Sequence, residues 1–351
     1  MKKLNVGIVS YDFNPPIGGQ GIYTKEIYNN LDLKKINPII ISGSQIKHDG
    51  YNINSSNNFI FSIKFNFLIN KLIKRFNLDI LHLQGGPGGV FLLRKIKIPV
   101  IYTAHHSYWS KYKLTGSKLS KLLFYLERVG YNLSDKIIAP SNSLKNILID
   151  YYSINKNNII VIPEGFNPKI FYKIKVNKIK NSVLFVGRLH RIKAIDKLIY
   201  AIDELKNKYP SIKLFIIGDG DQKTSLLNLV KKLNLKENIS FLGNMGQTEI
   251  NKWYNQCEMI VLPSYFEGFG LVVLEAAGTG LLSITTKNCG VSDIVFNEKI
   301  GLVVDNNSPI IIANSINKIF TSTPIKINSS HLSEKYSWKE IASRTKEVYL
   351  K

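Results

Sequence analysis

The sequence predicts an α/β protein built from two doubly wound domains, and three observations carry that prediction. Short apolar runs alternate with amphipathic stretches along all 351 residues. The apolar runs are nearly continuous in Val, Ile and Leu, the pattern of parallel strands buried on both faces. They also fall into two series, separated by a polar, lysine-rich segment with two prolines, and the length suits two cores.

The first series reads LNVGIVS, PIIIS, DILHL, PVIYTAH and KIIAP, each a candidate strand bounded by polar or turn residues. The boundary lies within IPEGFNPKIFYKIKVNKIKNS, which sets the domains at 1–165 and 166–334. The second series reads VLFVG, KLFIIG, ISFLG, MIVLP and LLSITT. Between its strands, KAIDKLIYAIDELKNKY and DQKTSLLNLVKKLN repeat their apolar residues at helical spacing. YSWKEIASRTKEVYL forms a separate helix after a Ser/Asn-rich segment.

Composition narrows the functional classes. A hydrophobic share of 44% excludes a disordered basic tail despite a net charge of +22. Of the 47 basic residues only Arg75, Arg94, Arg128, Arg188, Arg191 and Arg344 are arginine, the usual reader of bases and phosphates. No zinc-finger spacing, basic zipper or RNA-binding aromatic run is present, so nucleic acid is not the expected partner. The excess is +13 up to residue 170 and +9 beyond it, which points to an anionic partner without naming one. Two cysteines, Cys257 and Cys289, are too few for a disulfide framework or zinc cluster and suit a reducing cytoplasm. No apolar run reaches the roughly 18 residues of a membrane span, and MKKLNVGIVSYDF reads as a first strand rather than a signal peptide.

Four motifs stand where a doubly wound fold binds ligands, at strand ends facing helix N-termini. In PPIGGQGIYTKEI, Gly18, Gly19 and Gly21 permit a tight turn and close approach to a ligand, though the spacing is not the dinucleotide fingerprint and an ordinary turn reads the same way. In VGRLHRIKAIDKLI, Arg188 follows a strand and Lys193 opens a helix. Taken alone such a pair is more often surface charge, but at a strand end it would stabilise a diphosphate leaving group. In LPSYFEGFGLVVLEAAGTGLL, Glu267 precedes a Gly268-Phe269-Gly270 turn with backbone donors, and Glu275 sits inside an apolar helix where it needs a partner such as a ligand hydroxyl. IGDGDQK holds Asp219 and Asp221, a superficial Asp-x-Asp metal pattern that the glycine turn argues against.

The chain resembles the GT-B glycosyltransferases of family four, retaining enzymes that use nucleotide sugars. The resemblance runs over nearly the whole chain: GG.G near the start, T.H in YTAHH, PEG in IPEGF, GR....K in GRLHRIK, G.G in IGDGD, the Glu267-x7-Glu275 segment and a terminal helix opening with YSW. It implies two Rossmann-like domains facing a central cleft, with the helix of residues 335–351 returning to the first. It further implies that Arg188 and Lys193 hold the donor diphosphate, that Glu275 binds ribose hydroxyls, and that Glu267 and the amides from Phe269 to Leu271 hold the transferred sugar. Gly18 and Gly19 would close over the diphosphate. His105 matches the family's active-site histidine, with His106 the alternative by one residue, and His82 is a weaker candidate for lining the acceptor cleft. Departures from the family pattern include Glu164 and Asn167 in PEGFN, Ala194 after Lys193 where glycine is usual, Leu281 in place of a frequent proline, and Asp293 where glutamate is common.

The reaction so implied is metal-independent and hexosyltransferase-like, needs no cofactor, and moves a sugar from a UDP- or GDP-linked donor to an acceptor hydroxyl. The implied setting is cell-surface polysaccharide or glycolipid biosynthesis, with a carbohydrate or lipid-linked acceptor. The alternative is a non-catalytic nucleotide-sugar-binding protein of the same fold. Residues 59–76 and 111–128 interleave aromatic or apolar residues with lysine, so they fit either a packed sheet face or an anionic membrane surface at the cytoplasmic side.

Overall fold

The computed structural model describes residues 3–16, 18–43, 50–323 and 325–351. The chain forms two compact units, one of residues 1–165 with Trp338–Lys351, the other of Phe166–Ser337. In the first unit the chain runs through β1 (Leu4–Ser10), α1 (Gly19–Asn30), β2 (Ile36–Ser42), β3 (Gly50–Asn52), α2 (Asn58–Phe76) and β4 (Ile80–Gly85). It continues through β5 (Val100–Ala104), α3 (Tyr108–Thr115), α4 (Lys118–Asn132), β6 (Lys136–Ala139), α5 (Asn142–Tyr152) and β7 (Ile159–Val161). All strand pairs are parallel, in the order β3-β2-β1-β4-β5-β6-β7. The central strands are buried on both faces, with Val6, Ile8, Val9, Leu81 and Leu83 without exposed surface. Burying each such side chain stabilises the sheet by roughly 1.5–3 kcal/mol, which is why these runs carry no alternation.

The second unit runs β8 (Ser182–Val186), α6 (Ile195–Leu205), β9 (Lys213–Ile217), α7 (Lys223–Lys232), β10 (Ile239–Gly243), α8 (Gln247–Gln256) and β11 (Met259–Leu262). Beyond β11 come α9 (Leu271–Gly278), β12 (Leu282–Thr286), α10 (Ser292–Asn297), β13 (Gly301–Val304), α11 (Pro309–Thr321) and α12 (Ser329–Tyr336). Its sheet is parallel in the order β10-β9-β8-β11-β12-β13. In both sheets the chain winds outward from one strand and restarts beside it, at β1/β4 and at β8/β11. Those two switch points are where a doubly wound sheet leaves a ligand crevice beyond its strand ends.

The last helix, α13 (Trp338–Leu350), packs on α1 within the first unit. The Trp338 ring meets Tyr23 edge to face, Arg344 donates to the Val161 carbonyl at 3.2 Å, and Lys346 pairs with Asp32 at 3.6 Å. Residues 335–337, expected to open this helix, belong instead to the second unit. Lys335 and Tyr336 end α12 there, and both donate to Glu298 Oε1, at 2.6 and 2.9 Å.

Candidate active site

Three loops meet at the β8/β11 switch point of the second unit. The loop after β8 carries Arg188 and Lys193, the loop after β9 carries Asp219-Gly220-Asp221, and the loop after β11 carries Glu267 to Gly270. They are tied by backbone bonds: Leu189 N–H to the Asp219 carbonyl at 2.9 Å, Gln222 N–H to the Leu189 carbonyl at 2.9 Å, and Tyr265 N–H to the Ile192 carbonyl at 2.9 Å. The approach is so close that a Cβ on Gly218, whose φ is +131°, would lie 2.0 Å from the Gly187 oxygen. Glycine is therefore required there on both steric and conformational grounds.

Arg188 stands exposed at the end of β8. Lys193 closes a short 3-10 turn and forms an ion pair with Glu267, 74 residues away, with both side chains mostly buried. Ala194 adopts the left-handed conformation, φ 51° and ψ 41°, at the start of α6. That conformation costs an L-residue about 1–2 kcal/mol, which explains in physical terms why a glycine suits this position. Asp219 is exposed and engaged locally. Its oxygens accept from Lys223 Nζ and its neighbour Gly220 N–H, both at 2.8 Å, and these donors hold its carboxyl below the ordinary range.

Gly268, Phe269 and Gly270 are buried, and Gly270 takes φ +104° to turn the chain into α9. Among the described residues no backbone carbonyl outside the regular elements accepts from the N–H groups of Gly268, Phe269, Gly270 or Leu271. Four backbone donors at the positive end of a helix dipole form a ready anion or hydroxyl site. Glu275 lies one turn further on, half-buried, with Tyr254 of α8 donating to its Oε2 at 3.1 Å. Burial pushes its carboxyl up to about 7, and the Tyr254 hydroxyl draws it partly back. Tyr254 is the partner that the sequence pattern left unnamed. A cavity of about 590 Å³ lies beside these loops, lined by His190, Arg191, Ile195, Gln222, Leu226 and Tyr265, and touches neither Glu267 nor Glu275.

In the first unit, Gly18 caps α1 in an extended conformation and its N–H donates to Asp12 Oδ2 at 3.1 Å. A carboxylate of the chain's own loop thus already holds one amide of the glycine turn. His105 follows β5 and is 9% exposed. Its Nε2 bonds Gln84 Oε1 at 2.8 Å, its Nδ1 lies 3.4 Å from Glu164 Oε1, and Tyr23 packs edge-on against the ring. A ligand hydroxyl reaching His105 would have to replace one of these partners. His106 is more open, and its Nδ1 accepts from the Ser107 N–H at 2.8 Å. His82 lines no cleft. It is fully buried in β4 between Tyr349 and Thr103, each at 2.7 Å, and burial pushes its pKa down to about 3.

A buried carboxylate that the sequence pattern did not single out lies in α4. Glu127 is 3% exposed and accepts from the Tyr152 hydroxyl, the Tyr131 hydroxyl at 3.2 Å and the Tyr108 N–H at 3.0 Å. Burial pushes its carboxyl up to about 7. It holds the start of α3, immediately after His105 and His106. Both cysteines are free and buried.

Two parallel Rossmann-like units of this kind define the GT-B fold. The structure of a sucrose-phosphate synthase from Thermosynechococcus elongatus shares it with a TM-score of 0.84, at 20% identity over 99% of this chain and 98% of that one. Anabaena HepE, solved with UDP and glucose, matches with a TM-score of 0.76 at 16% identity over 99% of both chains. Residues 166–336 match the family model of the glycosyl transferases group 1, and residues 17–170 match that of glycosyltransferase family 4. An uncharacterized glycosyltransferase of Methanocaldococcus jannaschii, MJ1178, is 30% identical over 286 residues, 79% of this chain and 77% of the relative. The chain belongs to the group 1, family 4 glycosyltransferases.

Proposed function

We propose that the protein transfers a sugar from a UDP- or GDP-linked donor to an acceptor hydroxyl, with retention of anomeric configuration and without a bound metal. The observation that carries this reading is the meeting of unlike groups at one switch point: Arg188, the Lys193–Glu267 pair, the amides of Gly268 to Leu271, and Glu275. Cations suit a diphosphate, a carboxylate suits sugar hydroxyls, and the ion pair keeps both in register before the donor arrives. When the donor binds, the diphosphate takes Lys193 and a sugar hydroxyl takes Glu267, so the pair is exchanged for two ligand contacts. Glu275, oriented by Tyr254, accepts from the ribose hydroxyls.

As the glycosidic bond breaks, negative charge grows on the leaving phosphate, where Arg188 and Lys193 stabilise it in advance of the reaction. The leaving phosphate oxygen then takes the proton of the incoming hydroxyl on the same face, which gives retention without a carboxylate nucleophile. His105 is proposed to hydrogen bond a sugar hydroxyl. The acceptor is proposed to be a carbohydrate or lipid-linked molecule of cell-surface polysaccharide or glycolipid synthesis. The UDP and glucose held by HepE support a nucleotide-sugar donor.

The test is a panel of nucleotide sugars scored by thermal shift and donor hydrolysis, followed by the same panel in the presence of a chelator. Arg188→Ala and Glu275→Ala should each lower turnover of the preferred donor by on the order of a hundredfold. Unchanged turnover in either variant, or activity abolished by the chelator, would overturn the assignment.

A further inference from the structure

Four polar side chains share one face of the first sheet. His82 and Gln84 lie two residues apart on β4 and so point to the same side, as do Thr103 on β5 and His105 just beyond it. Gln84 stands opposite Thr103 in the strand register, which gathers the four into one block next to the β1/β4 switch point. His82 and Gln84 have no exposed surface, and neither do Leu81 and Leu83, which alternate with them on the other face. The leucines show what plain packing uses. Buried polar groups cost stability unless each is satisfied, and among the described residues these four leave no buried side-chain nitrogen or oxygen without a partner.

Their hydrogen bonds run in one direction. Burial keeps His82 neutral, its pKa pushed down to about 3, so the ring carries a single N–H. Gln84 Nε2 can only donate, and it faces His82 Nε2 at 3.4 Å. That ring nitrogen therefore accepts, from Thr103 as well at 2.7 Å, and the hydrogen of His82 sits on Nδ1. From there it is donated to the Tyr349 hydroxyl oxygen on α13 at 2.7 Å. The Gln84 amide is thereby held with Oε1 turned the other way, where it accepts from His105 Nε2 at 2.8 Å. His105 Nε2 is thus committed. The longer contact, Nδ1 to Glu164 Oε1 at 3.4 Å, is the one a ligand hydroxyl can displace.

We propose that Gln84 is the positioning residue of His105: its amide, anchored through His82 to Tyr349, fixes the hydrogen on Nε2 and presents Nδ1 to the sugar hydroxyl. The inference rests on the role given above to His105, and its first test needs no sugar donor. The full chain is labelled with isotopic nitrogen in histidine and studied by nuclear magnetic resonance at mildly alkaline pH, with His105→Ala identifying the His105 signals. The parent should carry the His105 hydrogen on Nε2. Gln84→Met, close in volume but without an amide, and Tyr349→Phe should each move His105 toward a mixture of its two ring forms. Should Gln84→Met fail to fold by circular dichroism, Tyr349→Phe carries the same test. Hydrogen on Nδ1 alone in the parent, or unchanged His105 signals in a folded variant, would overturn the proposal. With the preferred nucleotide sugar, Gln84→Met should lower kcat by about tenfold to a hundredfold, the scale lost with a histidine's orienting partner, and change KM by less than about threefold. Adding it to His105→Ala should cost nothing more, and a further loss of about tenfold there would show that Gln84 does not act through His105. A parent inactive on every nucleotide sugar would refute the proposed function, while the ring forms would still decide whether Gln84 orients His105.

Discussion

The substitution Glu127→Gln should make the protein relatively more stable as pH rises. The carboxyl stands at about 7 in the folded chain against an ordinary 4.5, raised by burial. Below the lower value it is protonated in both states and its contribution is complete. Between the two values the unfolded chain has released a proton that the folded chain keeps, so stability is lost with increasing pH until the folded carboxyl also ionises. At about 1.4 kcal/mol per pH unit, the interval corresponds to about 3 kcal/mol. The glutamine amide has nearly the same shape as the protonated acid and does not titrate. The stability difference, variant minus parent, should therefore climb by about 3 kcal/mol from pH 4.5 to above pH 7. His82 works in the opposite sense, its depressed pKa adding stability as pH rises, but it is common to both proteins and cancels in the difference. The assay is urea unfolding across this pH range in a Trp253→Phe background, so that Trp109 and Trp338 report on the first unit alone. A flat difference, or one that falls with pH, would show that the three donors stabilise the carboxylate more than burial penalises it.

Tyr254→Phe removes the hydroxyl that orients Glu275, and unfolding at pH 8 should be easier by about 1–3 kcal/mol, with a smaller loss at pH 5 where the carboxyl is protonated. Gly218→Ala forces a Cβ onto the Gly187 oxygen at positive φ, so thermal melting should show a loss of at least about 3 kcal/mol, with weaker nucleotide-sugar binding by calorimetry. Ala194→Gly relieves a left-handed alanine at the start of α6 and should raise stability by up to about 1 kcal/mol. A loss of that size in melting experiments would place the strain elsewhere.

The two sheets were legible because their inner strands are long apolar runs that admit only one environment. The three strands without a distinct signal, β3, β7 and β13, are edge strands of three or four residues, too short and too partly covered to carry a pattern. The donor-side candidates carry local signals: Arg188 follows a strand, Lys193 stands at a helix start, Glu267 precedes a glycine turn and Glu275 is a carboxylate inside an apolar helix. Their partners carry none. Lys193 meets Glu267 across 74 residues and Tyr254 meets Glu275 from another helix, contacts that only the packed sheet creates. His82 reads as a cleft residue because α13, which covers it, lies 267 residues further along the chain.

The Tyr349–His82 bond also orders events during synthesis. By the time Tyr349 is added, every strand of the first unit has long been made and the second unit has been translated as well. Until then His82 and Thr103 form a buried polar seam without its lid, and α1 lacks the helix it packs against. The first half of the chain to be made is thus the last to be completed. A ribosome that stops a few codons after Ser337 would release a finished second unit beside a first unit whose core still admits water. Such a product would bear nearly every residue of the proposed site and still be recognised by a protease as unfinished.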